Sequence, residues 1–424
     1  MLFSKTILPN GLRLITVPMQ DNPTVTVMVL VEAGSKYETK EISGISHFLE
    51  HMCFKGTVKR PKAIDIVKEL DGIGAQYNAF TSQEMTGYYA KSDRRHFGKI
   101  LDVVSDIYLH STFPGEELEK EKGVIVEEIK MYQDLPPRHI HDILLELLYA
   151  DQPAGWDIAG TPDTVRTTTR EGILKYRSEH YVAPATAVIV AGNFEEAAAK
   201  KALTEAFSYM PTGKKHRKLK VKEVQKKPGL AIKAKKTDQV HVAFGIRTQD
   251  IYDKRNPALR VATALLGGGM SSRLFQKMRE GLGICYYIGA STEHFTDHGF
   301  LEITAGVPAH RLSEAIIAIL EEVRVLKSNS ITLSELEHAK EYLVGNLYLG
   351  LESSDSVGDF YGAQEILHRP VLTPKEAADA VRAVTKEEVS IVCKKYFTDS
   401  RLNLALIGPV EDEAAIAKLL TLDS

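Results

Sequence analysis

His47, Glu50 and His51 are residues whose types and spacing can do chemistry together. They lie in the run Ser43-Gly44-Ile45-Ser46-His47-Phe48-Leu49-Glu50-His51-Met52, which has no Pro, so a helix is expected with Ser43 as its N-cap. At about 100° per residue, Glu50 falls about 300° and His51 about 400° round from His47, which places all three in one stripe roughly 100° wide. A single divalent cation can therefore meet both imidazoles. Zinc takes neutral imidazole nitrogen, and a catalytic site gives it three protein ligands while leaving a fourth position for water. The carboxylate between the histidines would stand beside that water, the arrangement needed for metal-assisted hydrolysis with a glutamate base. Phe48, Leu49 and Met52 imply that the helix is largely buried, so its polar stripe needs a partner.

A third donor is sought on the stretch Glu121-Lys122-Gly123-Val124-Ile125-Val126-Glu127-Glu128-Ile129, which reads as a helix. Its three successive apolar residues cover most faces, so at least one of Glu127 and Glu128 turns inward. Glu121 and Glu128 are seven apart, about 20° from eclipsed, and share a face, whereas Glu127 sits about 100° away.

His-x-x-Glu-His within Gly44 to Met52, followed by Phe54-Lys55-Gly56-Thr57, resembles the pitrilysin-type (inverzincin) metallopeptidases. The likeness is to the branch of mitochondrial processing peptidase and its bacterial relatives in particular. That family takes a third ligand from a glutamate far downstream, and Glu128, 77 residues after His51, fits the spacing. The resemblance thus implies one Zn2+ per chain on His47, His51 and Glu128, Glu50 as general base, and Glu121 as acceptor of a ligand histidine's N–H. It implies further that Arg279 and Tyr286, seven residues apart, clamp the substrate and stabilise the transition state. In relatives this pair faces the zinc from the far half of a clamshell. A chain of this length would be half of one, with a second subunit, a homodimer partner or a paralogue, supplying the rest. Asn78-Ala79-Phe80-Thr81-Ser82 resembles the family's strand beside the metal, where Asn78, Ala79 and Phe80 would bind a peptide by strand addition. The rival expectation is a catalytically inactive structural or binding subunit. Two departures stand out: only Gly267-Gly268-Gly269-Met270-Ser271-Ser272 occupies the place of the long glycine-rich loop of the processing peptidase's noncatalytic subunit, and Gln152 stands where relatives often have histidine.

The elements that must position these residues come from an internal duplication. Gly11 to Ile15 is matched by Gly229 to Lys233, Asp71 to Tyr77 by Glu280 to Tyr286, Glu117 to Lys120 by Glu335 to His338, and Ala187 to Gly192 by Asn403 to Gly408, at offsets of 218, 209, 218 and 216. Two similar domains are expected, 1–213 with the metal motif and 229–424 without it, joined by a basic, solvated linker at 214–228. Strands are expected at 24–31, 77–82 and 86–91, and helices at 95–110, 116–132 and 139–149. Strands and helices in blocks imply an α+β fold, each domain a mixed or antiparallel sheet covered by helices. His139 and His141, two apart on a helix, are expected at the surface.

The chain's 424 residues allow more than one core. Its 44% hydrophobic and 26% charged residues are ordinary for a globular protein, and a net charge of −3 argues for neither nucleic acid nor an anionic membrane. Three scattered cysteines give no disulfide framework, and neither a membrane span nor a targeting segment is read ahead of the hairpin turn at Pro9-Asn10-Gly11, so a cytoplasmic location is expected.

Overall fold

The computed structural model describes residues 2–328 and 330–423. Its first sheet has strands β1 (Ser4–Ile7), β2 (Arg13–Pro18), β3 (Thr24–Val31), β4 (Gln76–Thr81), β5 (Thr86–Asp93) and β6 (Thr186–Gly192). They lie in the order β1-β2-β6-β3-β5-β4, antiparallel except for the β2/β6 pair. The second sheet has β7 (Gly229–Ala234), β8 (Val240–Thr248), β9 (Ile288–His294), β10 (Gly299–Val307) and β11 (Leu402–Gly408), ordered β7-β11-β8-β10-β9 with only β7/β11 parallel. With β1 set aside, the two orders correspond strand for strand. The expected α+β architecture of duplicated mixed sheets is therefore present, and the four sequence matches fall on equivalent elements.

The alternation in β3 shows how each sheet is buried. Val25, Val27, Val29 and Val31 point into the core shared with helix Phe97–Leu109. The other face meets helix Ser354–Ile366: Ser354 Oγ is 2.9 Å from Thr24 Oγ1 and 2.8 Å from Thr26 Oγ1. A Cβ on Gly362 would come within 2.7 Å of Leu30 Cδ1, so this seat needs a bare backbone. In β8 the pattern recurs: Val242, Phe244 and Ile246 enter one core, while Ala243 packs with Ile140, Leu144 and Leu148 of helix Pro136–Tyr149.

The two covering helices start 218 residues apart, the offset of the duplication, yet each covers the sheet that the other half of the chain built. Accordingly one compact unit comprises Met1–Lys130, Trp156–Leu219 and Tyr348–Pro374, and the other Met131–Gly155, Lys220–Leu347 and Lys375–Ser424. A division at 213–229 follows the sequence; compactness divides the chain by this reciprocal exchange of helices.

Local expectations fare unevenly. Helix Gly115–Asp134 contains the expected 116–132, and helix Pro136–Tyr149 starts three residues ahead of the expected 139, at a proline suited to a first turn. His139 corrects the sequence reading: it is buried, with Nδ1 3.1 Å from Gln133 O, because this helix is covered by the second sheet. His141 is partly exposed and pairs with Glu302 at 2.7 Å. The basic stretch has no helix or strand from 211 to 228 and is largely exposed, but Lys215 reaches Glu32 and Lys218 lies 3.4 Å from Glu84. The three thiols are free and buried.

Candidate metal centre

The motif helix runs from Ile45 to Cys53, with Phe48, Leu49, Met52 and Cys53 fully buried. Its start differs from expectation. Gly44, not Ser43, is the N-cap, in a left-handed conformation (φ 94°), and a Cβ there would meet Ala159 O at 2.4 Å. With no capping side chain at that position, the buried carboxylate of Glu38 accepts from Gly44 N at 2.7 Å and Ser46 N at 2.8 Å. Burial outweighs these bonds and pushes Glu38 up to about 7.

Helix Gly115–Asp134 delivers its carboxylates to the same place. His47 Nε2 and His51 Nε2 are 3.2 Å apart, Glu128 Oε2 is 3.5 Å from His51 Nε2, and Glu128 Oε1 is 3.9 Å from His47 Nε2. Two tetrahedral ligands about 2.1 Å from zinc stand ~3.4 Å from each other, so the three donors fit such an ion with small side-chain adjustments. Glu127 instead pairs with Lys130 at 2.7 Å and is largely exposed.

Glu121 is buried and its Oε1 accepts from His51 Nδ1 at 2.8 Å, which commits the other ring nitrogen, Nε2, to the donor cluster. Lys55 holds the second oxygen of Glu121 at 2.6 Å. Burial raises Glu121, but His51 and Lys55 more than offset it and hold the acid below its ordinary range. Burial likewise pulls His51 down, whereas Glu121, Glu50 and Glu128 raise it by more, so it ends above its ordinary value. His47 has no such support: its buried Nδ1 finds no partner among the described residues, and desolvation followed by the charge of His51 drives it down to about 3. A neutral His47 ring is the form a metal takes.

Glu50 lies on the same stripe. Its Oε2 accepts from Thr81 Oγ1 at 2.5 Å, and burial raises its pKa more than that bond lowers it, a shift of the kind that favours proton exchange near neutral pH. Thr81 closes β4, the outermost strand of its sheet, so among the described residues one edge of β4 has no partner strand. Asn78, Ala79 and Phe80 lie on that strand, and Asn78 Oδ1 accepts from Ala79 N at 2.9 Å. Arg279 and Tyr286 belong to the second unit and meet each other: Arg279 Nη1 donates to Tyr286 O at 2.8 Å, and its guanidinium lies over the Tyr286 ring at 5.6 Å. Arg279 sits on a π-helical segment, Phe275–Gly281, and Tyr286 is 74% exposed.

The sequence assigns no role to Glu38 or Lys55, and Thr81 enters it only as part of the strand beside the metal. Lys55 offered only its closeness to His51, since it lies two residues beyond the end of the motif helix at Cys53. Glu38 offered no signal, because nothing in its neighbours marks a carboxylate that will cap a helix six residues on.

Residues 13–162 match the sequence profile described as Insulinase (Peptidase family M16), and residues 167–343 that of the Peptidase M16 inactive domain. A Bacillus subtilis (strain 168) protein named "Uncharacterized zinc protease YmxG" is 38% identical over 94% of this chain and 97% of its own length. The chain belongs to the M16 peptidase family. Another relative, an "Uncharacterized zinc protease" of Streptomyces coelicolor, is 30% identical over 97% of this M16 chain and 90% of its own. The M16 fold is also that of a structure titled as a protease from Helicobacter pylori, with a TM-score of 0.89 and 24% identity, covering 96% of this chain and 99% of that one.

Proposed function

We propose that this M16 chain is a zinc-dependent endopeptidase of the processing-peptidase-like branch, acting on unfolded peptides or short polypeptides. The observation that carries the reading is the convergence of His47 Nε2, His51 Nε2 and Glu128 to within 3.9 Å of one another, with Glu50 on the same stripe. One zinc ion per chain would be held by those three residues. When bound, zinc lowers the pKa of a water from 15.7 towards about 7 and polarises the scissile carbonyl. Glu50 then takes a proton from the attacking water and passes it to the departing amine, while Thr81 holds the carboxylate in place. Glu121, braced by Lys55, keeps His51 in the tautomer with Nε2 free to ligate. The open edge of β4 supplies main-chain donors and acceptors to an extended peptide, which makes little demand on its sequence, and Asn78 orients a substrate carbonyl.

Arg279 and Tyr286 of a second copy, or of a paralogue, complete the site by donating to the developing oxyanion and gripping the peptide, within a chamber closed by the dimer. The likeness to relatives named zinc proteases supports peptidase chemistry, and intact His47, Glu50, His51 and Glu128 speak against an inactive subunit. Among the described residues no helix is long and apolar enough to cross a membrane, and a cytoplasmic location is part of the proposal.

The deciding experiment compares the purified chain with Glu50→Gln on unstructured peptides while bound metal is measured. Both forms should hold zinc, and the variant should lose at least ~10²-fold to 10⁴-fold in hydrolysis. Full activity in the variant would remove Glu50 from its role, and activity without metal would remove the class. Mixing Arg279→Ala with Glu50→Gln subunits should restore part of the activity; no recovery on subunit exchange would count against a shared site.

A further inference from the structure

Helix Arg170–His180 ends where the basic stretch passes, and three metal-binding side chains meet there: Glu179, His180 and His216, whose donor atoms lie within 4.8 Å of one another. The His180 and His216 rings are 4.8 Å apart. His180 is only 6% exposed, and its buried Nδ1 finds no hydrogen-bond partner among the described residues. Buried imidazole nitrogens are ordinarily bonded, so this one calls for an explanation. The ring is also held in orientation, stacked on Tyr176 at 4.2 Å and met edge-on by Tyr37 at 5.8 Å.

We propose that Glu179, His180 and His216 form a second divalent-metal site, separate from the His47 centre, whose occupancy fastens the basic stretch at His216 to the end of helix Arg170–His180. Two imidazoles and one carboxylate are a donor set that zinc accepts with water in a fourth position. Glu179 and His180 come from the end of one helix, whereas His216 comes from a stretch without regular structure, so binding there adds a tether between the ion pairs of Lys215 with Glu32 and Lys218 with Glu84. The site lies one contact from the motif helix, because Tyr176, which stacks on His180, places its hydroxyl 2.7 Å from Ser46 Oγ.

The test uses the full chain dialysed against excess zinc and then metal-free buffer, with zinc per chain measured by mass spectrometry. The wild type should retain two ions, Glu128→Gln one and His216→Ala one; His216 is exposed, so its variant should fold and keep its peptidase activity. Zinc should also slow trypsin cleavage after Lys214, Lys215, Arg217 and Lys218 in the wild type and in Glu128→Gln, but not in His216→Ala. Equal zinc content in the wild type and His216→Ala, or zinc protection that survives in His216→Ala, overturns the proposal. If the His47 reading fails and this one holds, the wild type binds one zinc and His216→Ala none.

Discussion

Helix Ile45–Cys53 follows β3 in the first unit as helix Asn256–Gly267 follows β8 in the second, within sheets of corresponding order, but only the first carries the stripe of His47, Glu50 and His51. Asn256–Gly267 contains neither histidine nor glutamate. On the later helix of each half, the offset of 218 sets Ala339 opposite Glu121 and Asn346 opposite Glu128. The architecture therefore persists without the candidate metal donors, and the proposed function rests on a few side chains carried by one copy. The difference also appears at the helix starts. Asn256–Gly267 opens with a proline in its first turn, whereas the motif helix depends on a buried carboxylate from outside itself.

The sharpest way to probe this contrast is to give the first unit the second unit's residue. Glu128→Asn should abolish zinc retention at the His47 centre and bring peptide hydrolysis to background, measured by metal analysis and a peptide assay; an active variant would show that the third donor is not Glu128. The shared architecture can be challenged from the other side with Leu144→Ala, which truncates a fully buried side chain of the exchanged helix under β8 and β11. It should cost ~2–5 kcal/mol in urea unfolding while leaving zinc affinity unchanged. A loss of affinity would mean that the exchanged helix also shapes the metal centre.

Glu38 offers a test through pH. Its folded pKa, about 7, stands above its ordinary 4.5, so the folded state binds the proton more tightly. The stability it supports is highest below about 4.5 and declines as pH rises through about 7, by on the order of 3 kcal/mol in all. Unfolding of the metal-loaded Glu38→Gln chain should lack this decline; identical slopes in the two proteins would show that the carboxylate is ionised throughout. The smallest effect is expected of Glu121→Ala, which gives the first unit the counterpart of Ala339. Chelator competition should find zinc bound ~10-fold to 100-fold more weakly, because His51 loses the acceptor that sets its tautomer. An unchanged affinity would leave Glu121 only its ion pair with Lys55.

Much of this was legible in the chain. Helical spacing is a local property, so His47, Glu50 and His51 could be placed on one face, and the duplication could be read from repeated strand and helix ends. Thr81 was read as part of a strand near the metal, but its bond to Glu50 joins residues 31 positions apart. His139 was misjudged because two histidines two apart on an amphipathic helix both look solvated until a sheet from elsewhere in the chain covers one of them.

Residue type and spacing alone determined the stripe of His47, Glu50 and His51, the shared face of Glu121 and Glu128, the two repeats and the absence of the motif from the second, while the choice of Glu128 as a donor came from the family resemblance. Tertiary structure decided that helices Pro136–Tyr149 and Ser354–Ile366 trade sheets, that Glu38 crowns the motif helix, that Thr81 braces Glu50 and that Lys55 braces Glu121. The physical reason is range: backbone periodicity is written into neighbouring residues, whereas the partner of a buried charge or an apolar face is whichever distant segment the packed chain brings against it.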